Sequence, residues 1–185
     1  MPDRWTPGPF YRAMSRLDDV SYILSDKLQI LRVNPAWTRF AEGHGGLEKL
    51  GAWGRGSFVL DGVSDDLRAA YRDLHEEALS SNRRAAHDYV LASDPAGELY
   101  RMYVIPIAHR FLVVTHARRF DLARADGETY RRDGVVVACA ECKRVRTQGD
   151  GERWDFVANY LEIFALEISH GLCPLCATYA LLSAP

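Results

Sequence analysis

The apolar positions change period several times along the chain, and each change predicts an element. Ser21–Leu24 and Leu28–Val33 are short β-rich runs split by Ser25-Asp26-Lys27, a turn composition. Asn34-Pro35 then opens a helix, since Asn34 suits the N-cap and Pro35 the first helical position. Ala36, Trp37, Phe40 and Ala41 follow at helical spacing and face a core. Residues 43–56 hold six glycines and read as a loop. A second helix starts at Ser64, with Asp65 and Asp66 in its first turn, where the helix dipole favours acids. Leu67, Ala70, Tyr71, Leu74 and Ala78 form its apolar stripe. Three β-rich stretches come next, at His87–Ala92, Leu99–Ile107 and Phe111–His116. Turns at Asp94–Gly97 and Ala108–Arg110 connect them, and Pro106 is expected to end the middle stretch or mark an edge. Ahead of all this, residues 1–14 carry three prolines and one glycine, an irregular lead-in or a short helix near Phe10–Leu17.

This order predicts an α+β domain, a five-stranded antiparallel sheet with helices on one face. Arg118–Asp133 is charged and polar and reads as a linker or an amphipathic connector. Val135–Ala138 is then an apolar strand. Trp154, Val157, Tyr160, Leu161 and Phe164 recur at helical spacing and predict an amphipathic helix. Pro174–Leu182 reads as a last helix, with its proline in the tolerated first turn. The expected division is a lead-in over 1–19, a first domain over 20–117, a linker over 118–134 and a C-terminal module over 135–185. No internal repeat stands out.

Charge and length narrow the partners. The chain has 185 residues, 48% of them hydrophobic, and a formal net charge of -2. No broad basic field exists to attract nucleic acid or an anionic membrane. No apolar run approaches the ~18 residues of a membrane span. The first residues, Met-Pro-Asp-Arg-Trp, are polar and lack the apolar centre of a signal peptide. The expected compartment is the cytoplasm of a bacterium. A reducing cytosol disfavours structural disulfides, so clustered cysteines point to metal binding or redox chemistry.

The four cysteines form two C-x-x-C pairs, Cys139/Cys142 and Cys173/Cys176. That spacing lets both sulfurs of a tight turn face one ion. Four thiolates complete a tetrahedron around structural zinc and leave no open position for a substrate water. Thirty residues (143–172) separate the pairs, more than in a compact ribbon, and the expected amphipathic helix fills that interval. A pair at a strand end with a pair at a helix start suggests a treble-clef-like zinc module. Two rival chemistries stand beside zinc. Cys173-Pro174-Leu175-Cys176 is also the spacing of a redox pair at a helix N-terminus, and four cysteines can hold an iron–sulfur cluster. Neither pair is followed by histidine, which excludes c-type haem attachment. His170 is an alternative ligand or a second-layer donor to a thiolate. Lys143, Arg144 and Arg146 either offset the charge of a tetrathiolate centre or form a solvated face.

Residues 20–117 resemble a PAS sensor domain, on the strand–strand opening, on "ILRVNPAWTRFA" at Ile30–Ala41, and on "HDYVLASDPAGELYRMYVIPIAHRFLVVTH" at 87–116. The resemblance implies small-ligand sensing or dimerisation in signal transduction. A flavin-adduct PAS needs a cysteine in its middle helix, and none precedes Cys139. A haem PAS needs an axial histidine; His75 on the central helix is its candidate, and the plainer reading puts His75 at the surface. His44 reads as solvated, and His87, His109 and His116 flank strands without partner spacing. Trp37, Phe40, Tyr71 and Tyr103 are the candidate ligand-pocket residues, or simple core.

The C-terminal residues resemble a bacterial segment of the form C-x-x-C-K-[KR]-[VI]-R, a Trp, an amphipathic helix, and [ST]-H-G-[IL]-C-P-x-C. Here it runs as "CAECKRVR", Trp154 and "SHGLCPLC". The two resemblances together imply a non-enzymatic signalling protein, a PAS-like sensor joined to a zinc module that contacts a partner. The PAS domain is expected to form a homodimer or to bind a small molecule. The alternatives are a thiol redox sensor or enzyme, and a haem or flavin PAS sensor.

Overall fold

The computed structural model describes residues 8–43, 54–90, 98–120, 127–149, 153–157, 160–164 and 167–183. The chain divides into two units. One comprises residues 1–87 and 102–116, the other residues 88–101 and 117–185.

The first unit begins with helix α1 (Gly8–Met14), whose Phe10, Ala13 and Met14 are buried. Strands β1 (Val20–Ser25) and β2 (Ile30–Val33) pair antiparallel, Tyr22 opposite Val33. Helix α2 (Pro35–Gly43) starts at the expected Asn34-Pro35. Asn34 Oδ1 accepts from Trp37 N–H at 3.0 Å, the N-cap bond to the third helical residue. The same oxygen accepts from Ser21 N–H at 3.0 Å, and Nδ2 donates to the carbonyls of Met14, Leu17 and Asp19. One buried amide therefore ties α1, β1 and α2 together.

Helix α3 (Asp65–Ser81) ends at Asn82, whose φ of 52° is the left-handed stop common after helices. Its buried face differs from the expected stripe. His75 and Ala78 are buried and Tyr71 and Leu74 are half-buried, while Leu67 and Ala70 are exposed. The row 71–75–78 turns inward, and His75 is 1% exposed, not a surface residue. Its Nδ1 donates to Tyr71 O at 2.6 Å, which removes part of the cost of burying a polar ring.

Strands β3 (Ala85–Val90), β4 (Leu99–Ile107) and β5 (Phe111–Phe120) follow. Strand β4 runs past Pro106 to Ile107, where both residues are buried. The neighbour order is β2-β1-β5-β4-β3, and β1 and β5 run antiparallel with Tyr22 opposite Val114. This is the strand set the sequence pattern predicts. The turn at Asp94–Gly97 lies outside the described residues. So do His44 and most of the glycine-rich loop.

Strand β5 extends four residues beyond the expected end at His116. Ion pairs accompany the extension in this polar stretch. Arg118 meets Glu98, and Arg119 Nη1 lies 3.5 Å from Asp88. The last residues, Arg119 and Phe120, pair in parallel with Phe156 and Val157 of β9 (Trp154–Val157).

Most of the second unit is built on β6 (Arg131–Arg132), β7 (Val135–Cys139), β8 (Val145–Arg146), β9 and β10 (Ile168–Gly171), with helices α4 (Tyr160–Phe164) and α5 (Pro174–Ser183). Asp133 and Gly134 both have positive φ, 52° and 76°, and join β6 to β7 as a two-residue hairpin turn. Strand β7 pairs antiparallel with β6 and β8 and parallel with β10, so the sheet is mixed. Tyr130, Val136, Ala138, Val145, Val157, Tyr160 and Phe164 make its core.

One expectation fails here. Trp154–Val157 is a strand, and only Tyr160–Phe164 of the expected amphipathic helix is helical. All four residues of β9 are buried, so both faces are covered and no polar alternation distinguishes it. Arg101 sits over the Phe156 ring at 4.6 Å, and Asp155 accepts from Tyr130 Oη at 3.0 Å.

Candidate metal centre

Strand pairing, not the length of the spacer, brings the two cysteine pairs together. Strand β7 ends on Cys139, and the chain reverses into β8. Cys139 N–H donates to Arg144 O at 2.7 Å, and Lys143 N–H donates to Cys139 O at 3.0 Å. Lys143 takes a φ of 64°, the left-handed conformation that closes this knuckle. The interval then forms β8, β9, α4 and β10. Strand β10 runs parallel to β7, with Gly171 in register with Cys139. Ala140 N–H donates to Gly171 O at 2.9 Å. A Cβ on Gly171 would sit 3.3 Å from Val137 Cγ1, so a larger residue there would press on β7.

Cys173 follows two residues later. Its carbonyl accepts from Ala177 N–H at 2.8 Å, the first bond of α5. Cys173 thus stands at the helix start and Cys176 in its first turn, beside backbone amides that favour thiolates.

All four sulfurs lie within 4.8 Å of one another. Cys139, Cys173 and Cys176 are 0% exposed and Cys142 is 7% exposed. Cys142 Sγ and Cys173 Sγ are 3.6 Å apart. A tetrahedral ion with bonds of about 2.3 Å sets its sulfurs about 3.8 Å apart, so the spacing fits one mononuclear site. It is too long for a disulfide of ~2.05 Å. Cys139 Sγ also accepts from Cys173 N–H at 3.4 Å. The four cysteines therefore form a group able to hold one metal ion.

The four sulfurs shift one another's ionisation. Thiol donation from Cys142, then Cys173 and Cys176, holds the Cys139 pKa low. The Cys139 and Cys142 sulfurs push the pKa of Cys173 and Cys176 up. Cys142 is raised by Cys139 and lowered by Cys173, Cys176 and the Arg144 guanidinium, to about 7 overall. Packed alone, the four sulfurs resist ionising together. A dication held there would offset that repulsion and displace the protons.

The other sequence-predicted residues fall as follows. His170 lies on β10, exposed, in register with Ala138 and outside the sulfur group. Lys143 is exposed and its Nζ donates to Ala140 O, and Arg146 is half-buried on β8 opposite Trp154. Arg144 is fully buried, with Nη1 3.7 Å from Cys142 Sγ. The basic cluster thus separates, and one member reaches the centre. Nothing in the sequence singles it out, because burial of one charge among three is a tertiary outcome.

In the first unit, Trp37 is buried and Phe40, Tyr71 and Tyr103 are half-buried. The Tyr71 ring lies 6.5 Å from that of His75 and 5.8 Å from that of His87. Tyr22 Oη is 2.9 Å from His116 Nε2. A cavity of about 270 Å³ in this unit is bounded by Ile30, Leu31, Arg32, Arg55 and Gly56.

No family model matches the chain, and no curated protein matches it. Solved structures do. A domain of an HTR-like protein from Haloarcula marismortui is 16% identical, covers 55% of this chain and 97% of its own, and has a TM-score of 0.40. The PAS domain of nitrogen regulation protein NR(II) from Vibrio parahaemolyticus is 18% identical, with coverage of 62% and 99% and a TM-score of 0.40. The Rhodobacter sphaeroides LOV protein is 13% identical, with coverage of 66% and 71% and a TM-score of 0.42. At these scores the likeness assigns neither ligand nor partner. Among the described residues, no helix is long and apolar enough to cross a membrane.

Proposed function

We propose that this is a non-enzymatic signalling protein in which a PAS-like sensing or dimerisation domain is joined to a module folded around one structural zinc ion. The observation that carries the reading is the group of four buried sulfurs within 4.8 Å. Cys139, Cys142, Cys173 and Cys176 are the ligands. Zinc bound there supplies a cross-link between β7 and α5 and no open coordination position. The knuckle at the end of β7 and the pair at the start of α5 support a treble-clef-like module that offers a surface to a signalling partner. The neighbour order β2-β1-β5-β4-β3 and the sequence resemblance support the PAS-like reading of the first domain. Its ligand is a small molecule or a second copy of the chain.

The test is metal analysis of full-length protein purified without added zinc, with thiol titration before and after chelation. About one zinc per chain, with thiols blocked until the chelator is added, is the expected result. Metal-free protein carrying a reversible Cys173–Cys176 disulfide would replace this reading with a redox one.

A further inference from the structure

Four thiolates around a dication leave a net charge of about -2 in a site that excludes water. Such a centre is stabilised by fixed positive charge, and Arg144 supplies it. Its side chain is among the largest of those fully buried, at 0% exposure. A guanidinium does not lose its proton in a protein, so burying one calls for anionic neighbours. Nη1 lies 3.7 Å from Cys142 Sγ, within reach of an N–H···S bond. The backbone fixes it there. Lys143 turns the chain in the left-handed conformation, and the bond from Cys139 N–H to Arg144 O pins the next residue. Lys143, of the same charge, is exposed and donates to Ala140 O, and Arg146 is half-buried on β8.

Cys142 is also the ligand with residual exposure, 7% against 0% for the other three. It is the side from which a chelator or an electrophile reaches the centre. A sulfur that accepts a hydrogen bond from a cation is a weaker nucleophile and is held more firmly to its site. We infer that Arg144 is a charge-compensating and positioning residue of the centre, shielding Cys142 and setting how fast metal leaves and electrophiles attack there. This rests on the metal reading above.

The test compares zinc-loaded full-length wild type, Arg144→Met and Arg144→Lys. Zinc transfer to a chromophoric chelator is timed, and alkylation by iodoacetamide is resolved cysteine by cysteine by peptide mass spectrometry. In that reaction the sulfur forms a bond to the methylene carbon and iodide leaves. The methionine variant is expected to release zinc about 10–100-fold faster and to gain alkylation at Cys142 ahead of the other three. The lysine variant, which keeps the charge, is expected to return both rates toward wild type. Equal rates in wild type and Arg144→Met overturn the inference, as does a rise at all four cysteines alike in both variants, which reports general loosening. If Arg144→Met does not fold, Arg144→Lys decides: zinc release close to wild type upholds the role of charge, and loss of zinc there overturns it. Wild type that carries no zinc defeats the metal reading itself, and this inference with it.

Discussion

His75 shows how much one buried side chain can set. Its Nδ1 faces the carbonyl of Tyr71, which only accepts, so Nδ1 carries the proton and Nε2 carries the lone pair. Nε2 is buried without a hydrogen-bond partner among the described residues. Burial lowers the His75 pKa, against a smaller upward push from the Tyr71 bond. Burial first, then the charge of His75, lowers that of His116 to about 3. Tyr22 Oη faces His116, and the Tyr71 ring lies beside the rings of His75 and His87. In the unfolded chain both histidines titrate near 6.5. Between that value and about 3, the unfolded chain binds protons that the native one does not. Stability is therefore full above about 6.5 and falls as pH drops. The urea midpoint is expected to decrease from pH 7.5 to pH 5, with faster amide exchange in α3 and β5. A His75→Leu/His116→Asn double variant is expected to show a flatter profile. A wild-type midpoint constant across that window would contradict it.

At the scale of elements, local signals were legible and tertiary ones were not. Asn34-Pro35 announces α2 because a cap is a bond between neighbours. The start of α5 is legible too, because the fixed φ of Pro174 suits the first helical position. Asp133-Gly134 carries a hairpin signal that the charge of the surrounding residues obscures, which is why β6 and the reach of β5 read as a connector. The chief failure is β9. Trp154 and Val157 share a helical stripe with Tyr160, Leu161 and Phe164, yet Trp154–Val157 is covered on both faces and pairs with β5 and β8. Two substitutions separate these descriptions. Phe156 lies off the helical stripe but is 4% exposed in β9, so Phe156→Ala is expected to cost about 3 kcal/mol. Leu161 lies on the stripe but is 59% exposed, so Leu161→Ala is expected to change stability by less than about 0.5 kcal/mol. Thermal unfolding with the opposite ranking would restore the single helix.

At the scale of the molecule, the C-x-x-C spacing announced that each pair can face one ion, and the fold explains how two distant pairs meet. Parallel pairing of β10 with β7 sets Gly171 beside Cys139, and Cys173 follows at once. The long interval is thus occupied by two strands, a short helix and the returning strand, each contributing to one core. The burial of Arg144 beside Cys142 and the burial of His75 are not legible in the sequence, because both depend on residues brought close by folding. His170 stands apart, exposed on β10. Its position bears on the central claim, that four cysteines and no histidine hold the metal. X-ray absorption at the zinc edge of the full-length protein tests this most directly. Four sulfur neighbours at about 2.3 Å, with no nitrogen or oxygen in the first coordination shell, is the result expected. Three sulfurs with one nitrogen at ~2.0 Å, or no bound zinc to measure, would contradict it.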